Sequence, residues 1–240
     1  VTKKDEDFVD LFNFFAKLKK LKCLEFSLYS VKEANKKIEF YGELINKLTA
    51  IEISLHMPRK GLNAKNIKML AEKIKKIKRK KKISAYIFHH SEYKNLEKEI
   101  FEYFGKNKVL IENPDVKKAA SYYSKNLKPE KYPGVVIDIE HFYKKNGKFS
   151  FEIFKNFLEL HAEKIKEVHF SKARHNLFKR KDIPFFNRIV KLIFAKTRNH
   201  NLRFICEGTE KKYPKDKLKI EIVKNIKIII TLLKKYGKTR

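Results

Sequence analysis

Apolar positions along the chain switch repeatedly between two spacings. Phe8, Val9, Leu11, Phe12, Phe15 and Leu18 fall at helical intervals and predict a helix over 6–20. Cys23-Leu24-Glu25-Phe26-Ser27-Leu28 then makes a short apolar run, and a helix is predicted over 31–48. The alternation continues to the end. Strands are predicted at 51–56, 83–88, 108–112, 135–138, 167–170 and 202–207. Helices separate them over 63–79, 92–104, 115–127, 150–163 and 184–198, with a last one over 216–235. Tyr132-Pro133-Gly134 breaks the chain before the fifth strand.

Strands that alternate with helices pair in parallel. Seven strands fit a doubly wound sheet or a (β/α)8 TIM barrel, and the repeat count favours the barrel because open sheets more often hold five or six. The sequence starts with a helix and with Val, so the expectation is a barrel whose first strand lies outside this sequence. No linker or composition shift divides it, so residues 1–240 read as one domain.

The strand ends carry the chemistry. The second ends at His56, the third at His89-His90, the fourth at Glu112, the fifth at Asp138 with His141 three residues on, the sixth at His169 and the seventh at Glu207. Five of the eight histidines thus fall at strand ends, which random scatter would not produce. In a parallel barrel all these ends meet at the C-terminal mouth, where active sites are built. Imidazoles and carboxylates converging there suit Zn²⁺, with Mn²⁺ as an alternative, and a cation relieves the repulsion among the carboxylates. His89 directly follows the apolar run and reads as the inward ligand, leaving His90 to the loop.

Composition sharpens the partner. Lys and Arg number 58 against 28 acids, a formal charge of +30, so DNA or another acidic polymer is the natural partner. An AT-rich genome or heat adaptation also inflates Lys, but heat adaptation raises Glu with it, and here the acids did not follow. Hydrophobic residues are 42% of the chain, enough for a core, and exclude wholesale disorder. Cys23 and Cys206 match no disulfide framework or thiolate zinc pattern. No apolar run reaches the ~20 residues that span a bilayer, and no signal peptide opens the sequence. The expectation is a cytoplasmic protein with no membrane association and no protein partner.

The cations also cluster after strands. Arg59, Lys60 and Lys65 follow His56; Lys144, Lys145 and Lys148 follow His141; Lys172, Arg174, Lys179, Arg180 and Lys181 follow His169; and Lys211, Lys212, Lys215 and Lys217 follow Glu207. Phe142, Tyr143, Phe178 and Tyr213 lie among them. Cations for phosphates and aromatics for stacking fit a polynucleotide better than a free sugar. The densest run, Lys75 to Lys82, ends a helix and leads into a strand, which puts it at the opposite end of a barrel as a solvated face.

The ordered motifs resemble the xylose-isomerase-like barrel superfamily, which holds sugar isomerases and epimerases and the endonuclease IV family of abasic-site nucleases. Leu110-Ile111-Glu112-Asn113 resembles its strand ending in Glu-Asn, Asp138-Ile139-Glu140-His141 its Asp-x-x-His, Val168-His169-Phe170 its strand ending in His, and Phe204-Ile205-Cys206-Glu207 its final Glu strand. The resemblance covers residues 51 to 210. It implies a quartet of Glu112, Asp138, His169 and Glu207, and the nuclease branch adds His56, His89 and His141. It further implies a two-metal site in which Glu112 bridges, with His56 and His89 on one ion and Asp138, His169 and Glu207 on the other. Two ions about 4 Å apart clamp a phosphodiester and activate a water.

In the sugar-enzyme alternative, an isomerase or epimerase, Glu112 and Glu207 move a proton at the carbon beside the carbonyl. The sequence also departs from the nuclease pattern. Lys172 stands where the His-Leu-Asn-Asp stretch has its acid, and the Asp-Arg-His that serves a third metal is missing, with Asp182 and His175 the nearest candidates. These departures leave room for a third reading, a nucleic-acid-binding barrel with a degenerate site.

Overall fold

The computed structural model describes residues 9–10, 12–14, 22–48, 51–77, 83–117, 132–170, 179–197, 201–206 and 215–237. The chain divides into two compact units, Val1–Glu112 and Asn113–Arg240.

The first unit runs β1 (Cys23–Ser27), α1 (Val31–Lys47), β2 (Glu52–His56), α2 (Ala64–Lys75), β3 (Ile83–His89), α3 (His90–Phe104) and β4 (Val109–Glu112). Its strands pair in parallel, β1 with β2, β2 with β3 and β3 with β4. The register sets Ser27 beside His56 and His89 beside Glu112, so polar strand ends become neighbours. Local chemistry starts the helices. Ser30 Oγ accepts the Glu33 N–H at 3.2 Å, while the Glu33 carboxylate accepts the Tyr29 N–H at 3.3 Å. Asn63 Oδ1 accepts the Asn66 N–H at 2.9 Å at the head of α2. Gly42 on α1 lies where an added Cβ would come within 3.1 Å of Ile77, so the bare backbone permits the close approach. Gly105, at φ 77°, closes α3 in a conformation that favours glycine. β4 is buried throughout, and Ile53, Ile67, Leu70, Ile83 and Ile87 are buried with it in the first unit. Of the helix predicted over 6–20, residues 9, 10 and 12–14 are helical and the others lie outside the described residues.

The second unit runs β5 (Val135–Asp138), a 3₁₀ turn (Ile139–Phe142), α4 (Phe151–His161), β6 (Ile165–Phe170), a 3₁₀ turn (Arg180–Asp182), α5 (Ile183–Lys196), β7 (Arg203–Cys206) and α6 (Lys215–Gly237). β5 pairs with β6 and β6 with β7, again in parallel, and the register sets Asp138 beside His169. Like β4, β5 is buried along its whole length, as parallel strands covered on both faces are. β6 starts at Ile165, ahead of the predicted 167, because Ile165, Glu167 and His169 share one face of the extended chain. Of the helix predicted over 115–127, residues 115–117 form a turn held by the Asp115 carboxylate and the Lys117 N–H, and 118–127 lie outside the described residues.

Phe142 corrects an expectation. Counted among surface aromatics for stacking on bases, it is fully buried and packs edge-on against Phe154 and Phe157, with centroids 5.0 and 5.5 Å away. The 3₁₀ turn after Asp138 carries it inward. Phe178 and Tyr213 lie outside the described residues.

The predicted α/β class with parallel strands is therefore present in both units, with seven strands among the described residues. No helix among the described residues is long and apolar enough to cross a membrane.

His161, at the end of α4, offers a test of the second unit's core. It is 1% exposed and packed against the Tyr132 and Phe157 rings. Burial, aided by the Lys164 charge, pushes its pKa down to about 4. The unfolded chain, with an ordinary imidazole, binds this proton first, so stability should be full above about pH 6.5 and fall as pH drops towards 4. A displacement from the ordinary imidazole value to about 4 corresponds to about 3 kcal/mol. Denaturant unfolding between pH 4 and 7 should show this loss in the wild type and a flatter profile in His161→Leu. Identical profiles would place the acid sensitivity elsewhere.

Candidate metal centre

Parallel pairing brings the C-terminal ends of neighbouring strands together, and in the first unit those ends are His56, His89 and Glu112. One ligand atom from each lies within 4.8 Å of the others, a set that could hold a metal ion. His89 Nδ1 is 2.6 Å from Glu112 Oε2, and His56 Nε2 is 3.5 Å from the same oxygen. The two imidazole rings lie 4.8 Å apart, tilted by 35°. Glu112 is 2% exposed and His56 7%, so water does little to stabilise their charges.

Glu25 completes this arrangement. Its Oε1 lies 3.3 Å from His56 Nδ1, so the His56 ring stands between two carboxylates. Burial disfavours a charged His56, but Glu112 and Glu25 outweigh it and raise its pKa well above the ordinary imidazole value. A divalent cation would take the place of that proton as the counter-charge. Sequence reading passed over Glu25 because it looks for residues that end strands. The signal was a carboxylate in the middle of an apolar run.

In the second unit, Asp138 ends β5 and His141 lies in the following 3₁₀ turn, with Asp138 Oδ2 3.2 Å from His141 Nε2. Asn113 holds both in place. Its Oδ1 accepts the Asp138 N–H at 2.6 Å, its Nδ2 donates to the Asp138 carbonyl at 3.4 Å, and its own carbonyl accepts from His141 Nδ1. A carbonyl oxygen only accepts, so Nδ1 carries a proton and a neutral His141 turns the lone pair of Nε2 towards the Asp138 carboxylate. That contact is repulsive without a cation or a second proton between the two, which is the chemistry of a metal-ligand pair. Asp138 Oδ1 is turned to the Glu140 N–H at 2.8 Å, which fixes the carboxylate's rotation.

His169, the register neighbour of Asp138, is fully buried on β6. Its Nε2 lies 3.0 Å from Glu167 Oε1, and Glu167 Oε2 lies 2.8 Å from Arg203 Nε on β7. Neither Glu167 nor Arg203 stood out in the sequence, because charged residues inside strands are hard to distinguish from solvent-facing ones without the register.

The remaining predicted positions divide between surface and undescribed regions. His90 is the first residue of α3 rather than part of a loop, since the helix begins immediately after His89. Arg59, Lys60, Lys144, Lys145, Lys179 and Arg180 are exposed and close behind the strand ends in sequence. The Lys60 ammonium sits 4.7 Å over the Tyr29 ring. Asp182, a candidate third-metal ligand, accepts the Lys179 N–H at 2.7 Å and so serves to cap its 3₁₀ turn. Glu207, Lys172, Arg174, Lys211 and His175 lie outside the described residues, as do 78–82 of the basic run.

No protein-family model matches this chain, and no curated protein is significantly similar to it.

Proposed function

We propose that this protein is a metal-dependent endonuclease of the endonuclease IV kind, cleaving the DNA backbone at abasic sites, on a xylose-isomerase-like (β/α)8 barrel. The observation that carries the reading is the convergence of buried His56 and Glu112 with half-buried His89 at neighbouring strand ends, with exposed Arg59 and Lys60 just beyond in sequence. His56, His89 and Glu112 would hold one divalent ion, for which zinc suits the imidazole-rich donors. Asp138, His141 and His169, together with Glu207, would supply ligands in the second unit. A bound divalent ion supplies Lewis acidity towards a phosphoryl oxygen and an acidified water.

The chain's own residues do the rest. Glu25 orients His56, and Asn113 aligns Asp138 with His141, so the donors are held in place before any ligand arrives. Arg59, Lys60, Lys144, Lys145, Lys179 and Arg180 would neutralise phosphates, which fixes the register of the duplex without reading its bases. Burial of His56, Glu112, Asp138 and His169 keeps bulk water from screening their charges.

The test is a duplex carrying one abasic site, incubated with the full chain with and without chelator. Nicking at the abasic position is expected only where metal is present, with an intact duplex left uncut. Metal-dependent interconversion of a ketose with its epimer, without nicking, would replace this reading by the isomerase alternative. Duplex binding with neither activity would leave a binding protein.

A further inference from the structure

We propose that Glu167 and Arg203 are positioning residues that select the nitrogen through which His169 acts, so that His169 presents Nδ1 while His141 presents Nε2. The inference rests on the reading of both histidines as ligands, but its first measurement does not need a metal.

Alternation along β6 sets Glu167 and His169 on one face, and both are fully buried. The parallel register places Arg203 of β7 directly beside Glu167. Arg203 Nε donates to Glu167 Oε2 at 2.8 Å, and the other oxygen of that carboxylate faces His169 Nε2 at 3.0 Å. A carboxylate only accepts, so Nε2 must carry a proton. In the neutral ring that leaves the lone pair on Nδ1, the form in which imidazole ligates a metal. At His141 the Asn113 carbonyl takes the proton of Nδ1, so Nε2, facing Asp138, is the nitrogen at which a metal would replace a second proton. Two histidines of one unit thereby offer opposite nitrogens to a metal, each set by a different partner.

Arg203 acts through Glu167. Its guanidinium neutralises a carboxylate that would otherwise be an uncompensated buried charge, and it occupies Oε2 so that Oε1 stays aimed at the imidazole. A histidine whose outer nitrogen is bound this way loses less orientational freedom when it binds a metal.

The experiment uses the ¹⁵N-histidine-labelled full chain, treated with chelator at neutral pH. Long-range ¹H–¹⁵N correlation should show His169 protonated on Nε2 alone and His141 protonated on Nδ1 and, with the metal removed, on Nε2 as well, each assigned by loss of its signals in His169→Gln and His141→Gln. In Glu167→Gln, His169 should move to a mixture of tautomers while His141 is unchanged. Zinc affinity should then fall by roughly 10- to 100-fold. Arg203→Lys should retain most of that affinity, and Arg203→Met should lose it as Glu167→Gln does. A wild-type His169 protonated on Nδ1, or a tautomer indifferent to Glu167→Gln, would overturn the proposal, and the wild-type spectrum decides the first even if a variant does not fold. If the tautomers are as stated but His169→Gln leaves zinc affinity untouched, the positioning stands and the metal role of His169 fails.

Discussion

Glu112→Gln is expected to lower abasic-site cleavage by about a thousand-fold or more, some 4 kcal/mol of lost transition-state stabilisation, while duplex binding stays nearly unchanged. Glu112 faces both His56 and His89, and it is buried, so no water replaces its charge. Gln keeps the shape and removes the anion, so the structure has no new cavity to collapse into. Loss of the charge also removes the strongest force holding a proton on His56, so its pKa should fall. Single-turnover cleavage alongside equilibrium binding separates the two effects. Equal losses in both would mean that Glu112 supports the fold rather than the chemistry, and a fully active variant would remove it from the site.

The second large effect concerns affinity. Replacing Lys144, Lys145, Lys179 and Arg180 together by Ala should weaken duplex binding and reduce the slope of log K against log salt by about 3.6, since each lost phosphate contact removes about 0.9. All four are exposed and lie in segments that follow β5 and β6, so the substitutions leave the core intact. The zinc content of the variant should match the wild type. Binding titrations from low to moderate salt measure the slope directly. An unchanged slope would mark these lysines and arginine as products of a Lys-rich composition, and the nuclease proposal would lose its substrate argument. Affinity and chemistry are thus expected to come from different residues, cations that lie just beyond the strand ends in sequence and ligands at those ends.

The order and type of the elements could be read from spacing alone. Periods of two and near four are imposed by the backbone, and the switch between them marks β2, α2 or β6 wherever apolar residues fill a buried face. Boundaries were less legible. α2 stops at Lys75 instead of 79, and the 3₁₀ turns over Ile139–Phe142 and Arg180–Asp182 left no periodic trace, being too short to show one. Phe142 was misplaced for that reason.

Strand-end residues could be named from the sequence because a parallel fold converts the position at the end of a strand into proximity. His56, His89 and Glu112 needed only that rule, as did Asp138 with His141. Their partners did not follow from it. Glu25, Glu167 and Arg203 lie inside strands: the inter-strand register sets Arg203 beside Glu167, while the reach of the Glu25 and Glu167 side chains to His56 and His169 shows only in three dimensions. Hydrogen-bond direction, and with it the nitrogen each histidine presents, depends on side-chain contacts of about 3 Å. The sequence by itself determined the donor types and the strand ends that carry them. The tertiary structure alone decided how those donors are oriented, because orientation is a property of neighbours that no one-dimensional pattern contains.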